Sequence, residues 1–157
     1  MPLRIATPAD VPAILRLEGS PVARDFVGQW SEERHRNTLA STDARYYVSE
    51  TEGGGVEAYV ILRGLNEQSR SIEVKRIVVG VPERGLGRQL LTAILQTAFG
   101  ELGAHRVFLD VFEDNARARH LYESLGFKYE GIMRESAQRD GRWFNLHLMS
   151  MLESEYN

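Results

Sequence analysis

The stretch from Ile72 to Phe112 restricts the fold more than any other. An apolar strand, Ile72 to Val79, runs into a turn containing Gly85 and Gly87. A helix follows, with apolar residues Leu90, Leu91, Ile94, Leu95, Ala98, Phe99 and Leu102 at helical spacing and a stop at Gly103; Val107 to Phe112 is again a strand. Such a strand-helix-strand unit joins parallel neighbours through a right-handed crossover. Within the first strand the apolar positions change phase, because Ile72 and Val74 are even whereas Ile77 and Val79 are odd, with Lys75-Arg76 between them. Successive side chains of a strand point to opposite faces, so a β-bulge near Lys75-Arg76 accounts for the slip and bends the strand away from a neighbour. The alternative is a strand buried on both faces beyond residue 76.

The flanking sequence supplies antiparallel partners. Leu3 to Ala6 reads as a strand, and Thr7-Pro8-Ala9-Asp10 as the start of a helix reaching about Glu18, with Thr7 as N-cap and Asp10 as its capping partner. A polar helix is predicted around Ser31 to Ser41. Tyr46 to Val48 and Val56 to Leu62 form a hairpin about Gly53-Gly54-Gly55. After Phe112, a helix marked by Ala118, Leu121, Tyr122 and Leu125 stops at Gly126, and strands near Phe127 to Met133 and Trp143 to Met151 follow. The order β-α-α-β-β-β-α-β-α-β-β predicts an α/β fold on a mixed sheet.

At 157 residues the expectation is a single domain over residues 1–157. The chain has no cysteine, which excludes disulfides, thiolate metal sites and a cysteine nucleophile and fits a reducing compartment. No basic leader followed by an apolar run is seen, nor any apolar stretch of membrane-spanning length, so the expectation is a cytoplasmic protein. A formal charge of −3 argues against nucleic acid as a partner. The histidines at 35, 105, 120 and 147 have no ligand-like spacing, so no metal is expected.

Two segments carry chemistry. In Val81-Pro82-Glu83-Arg84-Gly85-Leu86-Gly87-Arg88 the glycines permit a tight turn, the helix start presents unpaired amides, and Arg84 and Arg88 add positive charge, a combination suited to a pyrophosphate. A tight turn without a ligand remains the alternative. The segment lacks the Gly-Lys-Ser/Thr ending of a P-loop and the third glycine of the dinucleotide pattern, which disfavours a nucleotide hydrolase or a dehydrogenase. In the second segment, Asn115 to Phe127, Asn115 reads as an N-cap and Tyr122 as a core aromatic when each is taken alone.

Taken together, the glycine turn opening a helix and the downstream Asn115-x-x-Ala118-x-x-x-Tyr122-x-x-x-Gly126-Phe127 resemble the GCN5-related N-acetyltransferase (GNAT) superfamily. The ending Glu130 to Glu135 followed by Asp140-Gly141 is loosely similar to the branch that acetylates protein N-termini or small amines. The resemblance implies acetyl-CoA as cosubstrate and a primary amine as acceptor, either a protein α-amine or a small molecule, with direct attack and no covalent enzyme intermediate. It implies that Val78 and Val79, on a strand splayed from its parallel neighbour, contact the pantetheine arm. Arg84, Gly85, Leu86, Gly87 and Arg88 would hold the phosphates, Asn115 would bond the cofactor, and Tyr122 would protonate the leaving thiolate. Glu73 on the bulged strand is the expected base, with Glu135 a lesser one. Phe26, Trp30, Arg139 and Trp143 fall where relatives shape the acceptor site. Where relatives carry Gln or Arg three residues before the first glycine, this chain has Pro82, so weaker cofactor binding is expected. A non-catalytic acyl-CoA-sensing module and a transferase for longer acyl donors stay open, as does a homodimer.

Overall fold

The computed structural model of the protein describes residues 3–21, 23–81 and 85–156. In chain order the elements are β1 (Leu3–Ile5), a 3-10 turn (Pro8–Asp10), α1 (Val11–Glu18), α2 (Glu32–Ala40), β2 (Ala44–Glu50), β3 (Val56–Arg63), β4 (Ser71–Val79), α3 (Leu86–Gln96), β5 (Arg106–Phe112), α4 (Ala116–Ser124), β6 (Lys128–Arg139) and β7 (Arg142–Leu152). The strands form one seven-stranded sheet in the order β1-β2-β3-β4-β5-β7-β6. Among the described residues only β4 and β5 run parallel, and the other pairs are antiparallel. The mixed α/β order expected from the sequence is the one found.

Helix starts follow local chemistry. At the 3-10 turn the Thr7 amide donates to Asp10 Oδ2 at 2.8 Å, and Arg4 bonds both Asp10 oxygens at 2.8 and 2.9 Å. That guanidinium, and secondarily the Thr7 amide, hold the Asp10 carboxyl below its ordinary range against the opposing effect of burial. Ser31 caps α2 by accepting from the Arg34 amide at 3.1 Å.

The sheet is covered on both faces. On one, Leu90, Leu91, Ile94 and Leu95 of α3 and Tyr122 of α4 pack against Val60, Leu62, Val107 and Leu109. On the other, Ile14, Leu17 and Trp30 pack against Tyr46, Tyr59, Ile61 and Val78. Among the described residues no helix is long and apolar enough to cross a membrane.

The β4 bulge lies where the phase slip places it. Ile61 of β3 pairs with Arg76, whereas the next residue, Leu62, pairs with Val74, leaving Lys75 unmatched. Ile72, Val74, Ile77 and Val79 therefore all contact the α3 core, while Val78 belongs to the α1–α2 core. Beyond residue 76 the strand is buried on the far face at Val78 and half-buried on the α3 face at Ile77 and Val79.

Two features depart from the expected elements. The single helix predicted to Gly103 ends as a π-helical turn, Thr97–Glu101, which sets Phe99 in a stack with Tyr156 at 4.8 Å. The last hairpin is longer than expected, reaching Arg139 and Arg142 across an Asp140-Gly141 turn in which both residues have positive φ, 52° and 76°. Register shifts at Tyr129/Gly131 and Met133/Ala137 break the alternation that would have marked these strands in the sequence.

Candidate active site

The parallel pairing of β4 with β5 covers three residue pairs, Ser71–Arg106, Ile72–Val107 and Glu73–Phe108, and then stops. The bulge at Lys75 turns β4 away, while β5 stays paired along its length with β7, from Arg106–Leu152 to Phe112–Leu146. A cleft of about 920 Å³ opens between the diverging strands. Val74 to Val79 form one wall and Leu109 to Phe112 the other. Gly85, Gly87, Arg88 and the start of α4 close it on the α3 side; Ala23 to Trp30, Arg34 and residues 136–138 of β6 border the other side.

Gly85 takes the left-handed conformation, φ 70° and ψ 10°, at the N-cap of α3. Among the described residues the first bond of α3 is the Gln89 amide donating to the Gly85 carbonyl at 3.2 Å, and the amides of Leu86, Gly87 and Arg88 stand in the first turn of the helix. The Leu86 side chain is in the core and has only its backbone to offer. Arg88 lines the cleft and is held by Ser124 Oγ at 2.5 Å, which ties α3 to the end of α4. Arg84 and Pro82 lie outside the described residues.

Asn115 borders the cleft and caps α4, its Oδ1 accepting from the Ala118 amide at 3.2 Å. Two turns on, Tyr122 lines the cleft with only 7% of its surface exposed and packs on Phe127 at 5.9 Å. Burial pushes the Tyr122 phenol up to about 12, and the nearby Asp110 adds to the rise. Val78 and Val79 line the β4 wall, and Phe26 and Trp30 the α1–α2 side.

Three expected site residues fall elsewhere. Glu73 sits at the closed end, in the last parallel pair, with its carboxylate ion-paired to Arg63 Nε at 2.8 Å; it does not line the cleft. Glu135 occupies the irregular part of β6 at φ 47°, held through its amide by Asn145, and Trp143 is 59% exposed near the hairpin tip; neither lines the cleft. Arg139 acts at the rim. It bonds Asp114 at 2.7 Å and the Asp25 carbonyl, and its guanidinium lies 4.0 Å from the Phe144 ring centroid.

Sequence reasoning missed Asp110 and Lys75, which both line the cleft. Burial raises the Asp110 carboxyl above its ordinary value, with Lys75 opposing the shift; burial lowers the Lys75 ammonium, with Asp110 opposing. A signal for Asp110 was present, since it is the one acid among Val107, Leu109 and Val111 and has the opposite phase to these core residues. Lys75, the residue that the bulge leaves unmatched, carried no comparable signal.

Behind the far wall lies a buried polar set. Arg76 bonds the Glu18 carboxylate, which also takes His35 Nε2–H at 3.0 Å, so His35 Nδ1 accepts from the Tyr46 hydroxyl at 2.6 Å. Among the described residues there is no cluster of histidine, cysteine, aspartate and glutamate able to hold a metal ion.

Residues 20–127 match the family model described as Acetyltransferase (GNAT) family. The chain is 31% identical to a spermidine N(1)-acetyltransferase of Vibrio cholerae over 80% of its own length and 73% of the relative's. It is 33% identical to the N-alpha-acetyltransferase RimI of Mycobacterium tuberculosis over 82% of its length and 78% of the relative's. Among solved structures, the Vibrio cholerae spermidine N-acetyltransferase in complex with CoA and spermine superposes with a TM-score of 0.86 at 27% identity, covering 99% of this chain and 96% of that one.

Proposed function

The chain belongs to the acetyltransferase (GNAT) family and is an acetyl-CoA-dependent N-acetyltransferase, and on that premise we propose that it acetylates the primary amine of a small molecule by direct attack within a ternary complex. One observation carries the reading: β4 and β5 part company after Glu73–Phe108, and the α3 amides, the unpaired β4 backbone and the Tyr122 phenol all open onto that same gap.

The residues fit an acyl-coenzyme A. The left-handed Gly85 and the first-turn amides of α3 suit a pyrophosphate, and among the described residues the edge of β4 from Val74 to Val79 has no strand partner on the β5 side, leaving amides and carbonyls for an extended amide-bearing arm. When bound, acetyl-CoA supplies an activated thioester. Tyr122 then contributes a neutral phenol in a site shielded from water, placed to donate a hydrogen bond to a departing thiolate. Asp110 takes the place expected for Glu73. Its carboxyl faces the cleft and burial raises its proton affinity above that of an ordinary carboxylate, so it is assigned removal of the ammonium proton from the acceptor. Phe26 and Trp30 provide apolar walls for the acceptor. A cysteine-free chain dependent on acetyl-CoA supports a cytoplasmic location.

The test is coenzyme A release, read with a thiol reagent, against a panel of primary amines; the protein adds no background thiol because it has no cysteine. Turnover with small amines is the expected result, and absence of release with every amine tried would sink the reading. A peptide α-amine is the second reading, supported by the 33% identity to the RimI relative; a peptide arm in the same panel separates the two.

A further inference from the structure

On the α1–α2 side the cleft holds five charged side chains, Arg34, Lys75, Arg76, Asp110 and Asp114. Four are answered inside the protein. Arg76 bonds Glu18, Asp114 bonds Arg139 at 2.7 Å, and Lys75 and Asp110 attract one another. Neither Lys75 nor Arg34 has a carboxylate within ion-pair distance among the described residues, but Lys75 has Asp110 close enough to oppose its shift, whereas the exposed Arg34 rests on an aromatic ring. Its guanidinium carbon lies 3.7 Å from the Trp30 ring centroid, and Trp30 is 8% exposed, wedged against His35 at 5.2 Å with Arg76 4.6 Å from the same ring.

A guanidinium stacked on an aromatic ring uses its flat face, which leaves its in-plane N–H donors available as a rigid fork matched to a carboxylate. The cosubstrate's phosphates do not account for this fork, because their amides at Leu86 to Arg88 lie on the α3 face whereas Trp30 belongs to the core on the opposite face. A polycation does not either, since it would bring like charge to Arg34 while Asp114 is already taken by Arg139. We propose that Arg34, seated on Trp30, binds a carboxylate carried by the acceptor, so that the preferred substrates are amino-acid-like molecules with both a primary amine and a carboxylate. The assignment rests on the acetyl-transfer reading and narrows its substrate class.

Matched pairs test it: leucine with isopentylamine, phenylalanine with phenethylamine, methionine with 3-methylthiopropylamine, and spermidine as the polycation. For the best acceptor, kcat/KM should exceed that of its decarboxylated partner by about tenfold or more, the effect of a charge-assisted bidentate contact. Arg34→Gln should bring that ratio toward one, and Arg34→Lys should keep part of it. Calorimetry on the enzyme saturated with CoA gives a readout independent of turnover, with Arg34→Gln weakening binding of the amino acid about tenfold; a thermal melt confirms that the variant folds. If the best acceptor has no anionic group, or if Arg34→Gln leaves the preference intact, the assignment is overturned while acetyl transfer stands. If no amine releases coenzyme A, both fall together.

Discussion

Tyr122→Phe separates two roles that a phenol can play. The substitution removes a hydroxyl that makes no hydrogen bond to protein among the described residues and keeps the ring against Phe127, so the fold should be unaffected and the melting temperature nearly unchanged. For the chemistry, the magnitude follows from proton affinities. Burial holds the phenol at about 12, whereas the cysteine thiol, taken as the reference for the leaving group, has a pKa of roughly 8.5. A gap of about 3.5 units, near 1.4 kcal/mol each, makes full proton transfer to the thiolate uphill by about 5 kcal/mol. Tyr122 is therefore expected to stay protonated and to stabilise the developing thiolate as a hydrogen-bond donor, a contact of about 1.5–3 kcal/mol. The predicted loss in kcat is about 10- to 150-fold, below the 10⁴-fold that complete general-acid transfer can reach. Single-turnover measurement of coenzyme A release, in which chemistry is observed directly, is the assay. A loss below about threefold would remove Tyr122 from the reaction, and a loss of about 10³- to 10⁴-fold would show that the phenol gives up its proton after all.

Further predictions follow from neighbouring contacts. Asp110 accepts a proton only when ionised, and its raised affinity moves the ascending limb of kcat/KM to a higher pH than an ordinary carboxylate would give; Asp110→Asn should abolish that limb, and an unchanged profile would exclude it as base. Because the folded state holds this proton more tightly than the unfolded chain, ionisation opposes folding. Stability should fall as pH rises through the window above the unfolded carboxylate value, and the Asn variant should lack that fall in denaturant titrations. Glu18→Ala strands the buried Arg76 guanidinium, and urea unfolding should report a loss of about 3–5 kcal/mol, whereas a loss under about 1 kcal/mol would mean that the pair is dispensable. At Gly85 a methyl group would meet no atom within 4 Å, so Gly85→Ala acts through the left-handed backbone alone; calorimetry should show acetyl-CoA binding weakened by about 1 kcal/mol or more, with the acceptor preference kept.

Local rules made much of this legible in the residues themselves. Runs of apolar side chains located the strands up to β5, and the one-residue slip between Val74 and Ile77 located the bulge, because side-chain direction in a strand has a strict period of two. The family resemblance carried by Asn115-x-x-Ala118-x-x-x-Tyr122 implied a cap at the cleft and a phenol beside it, and both residues line the cleft, because a helix carries residues seven apart to one face. What spacing does not encode is the distance at which a strand ceases to pair. Glu73 and Asp110 are both acids on adjacent strands, yet the ladder is still closed at Glu73–Phe108 and has opened by Asp110, so one carboxylate meets Arg63 and the other meets the cleft. Arg34 shows the same division. Its charge is evident in the chain, but that it has no ion-pair partner among the described residues depends on Glu18 pairing with Arg76 and Arg139 with Asp114, and only the folded packing brings them there.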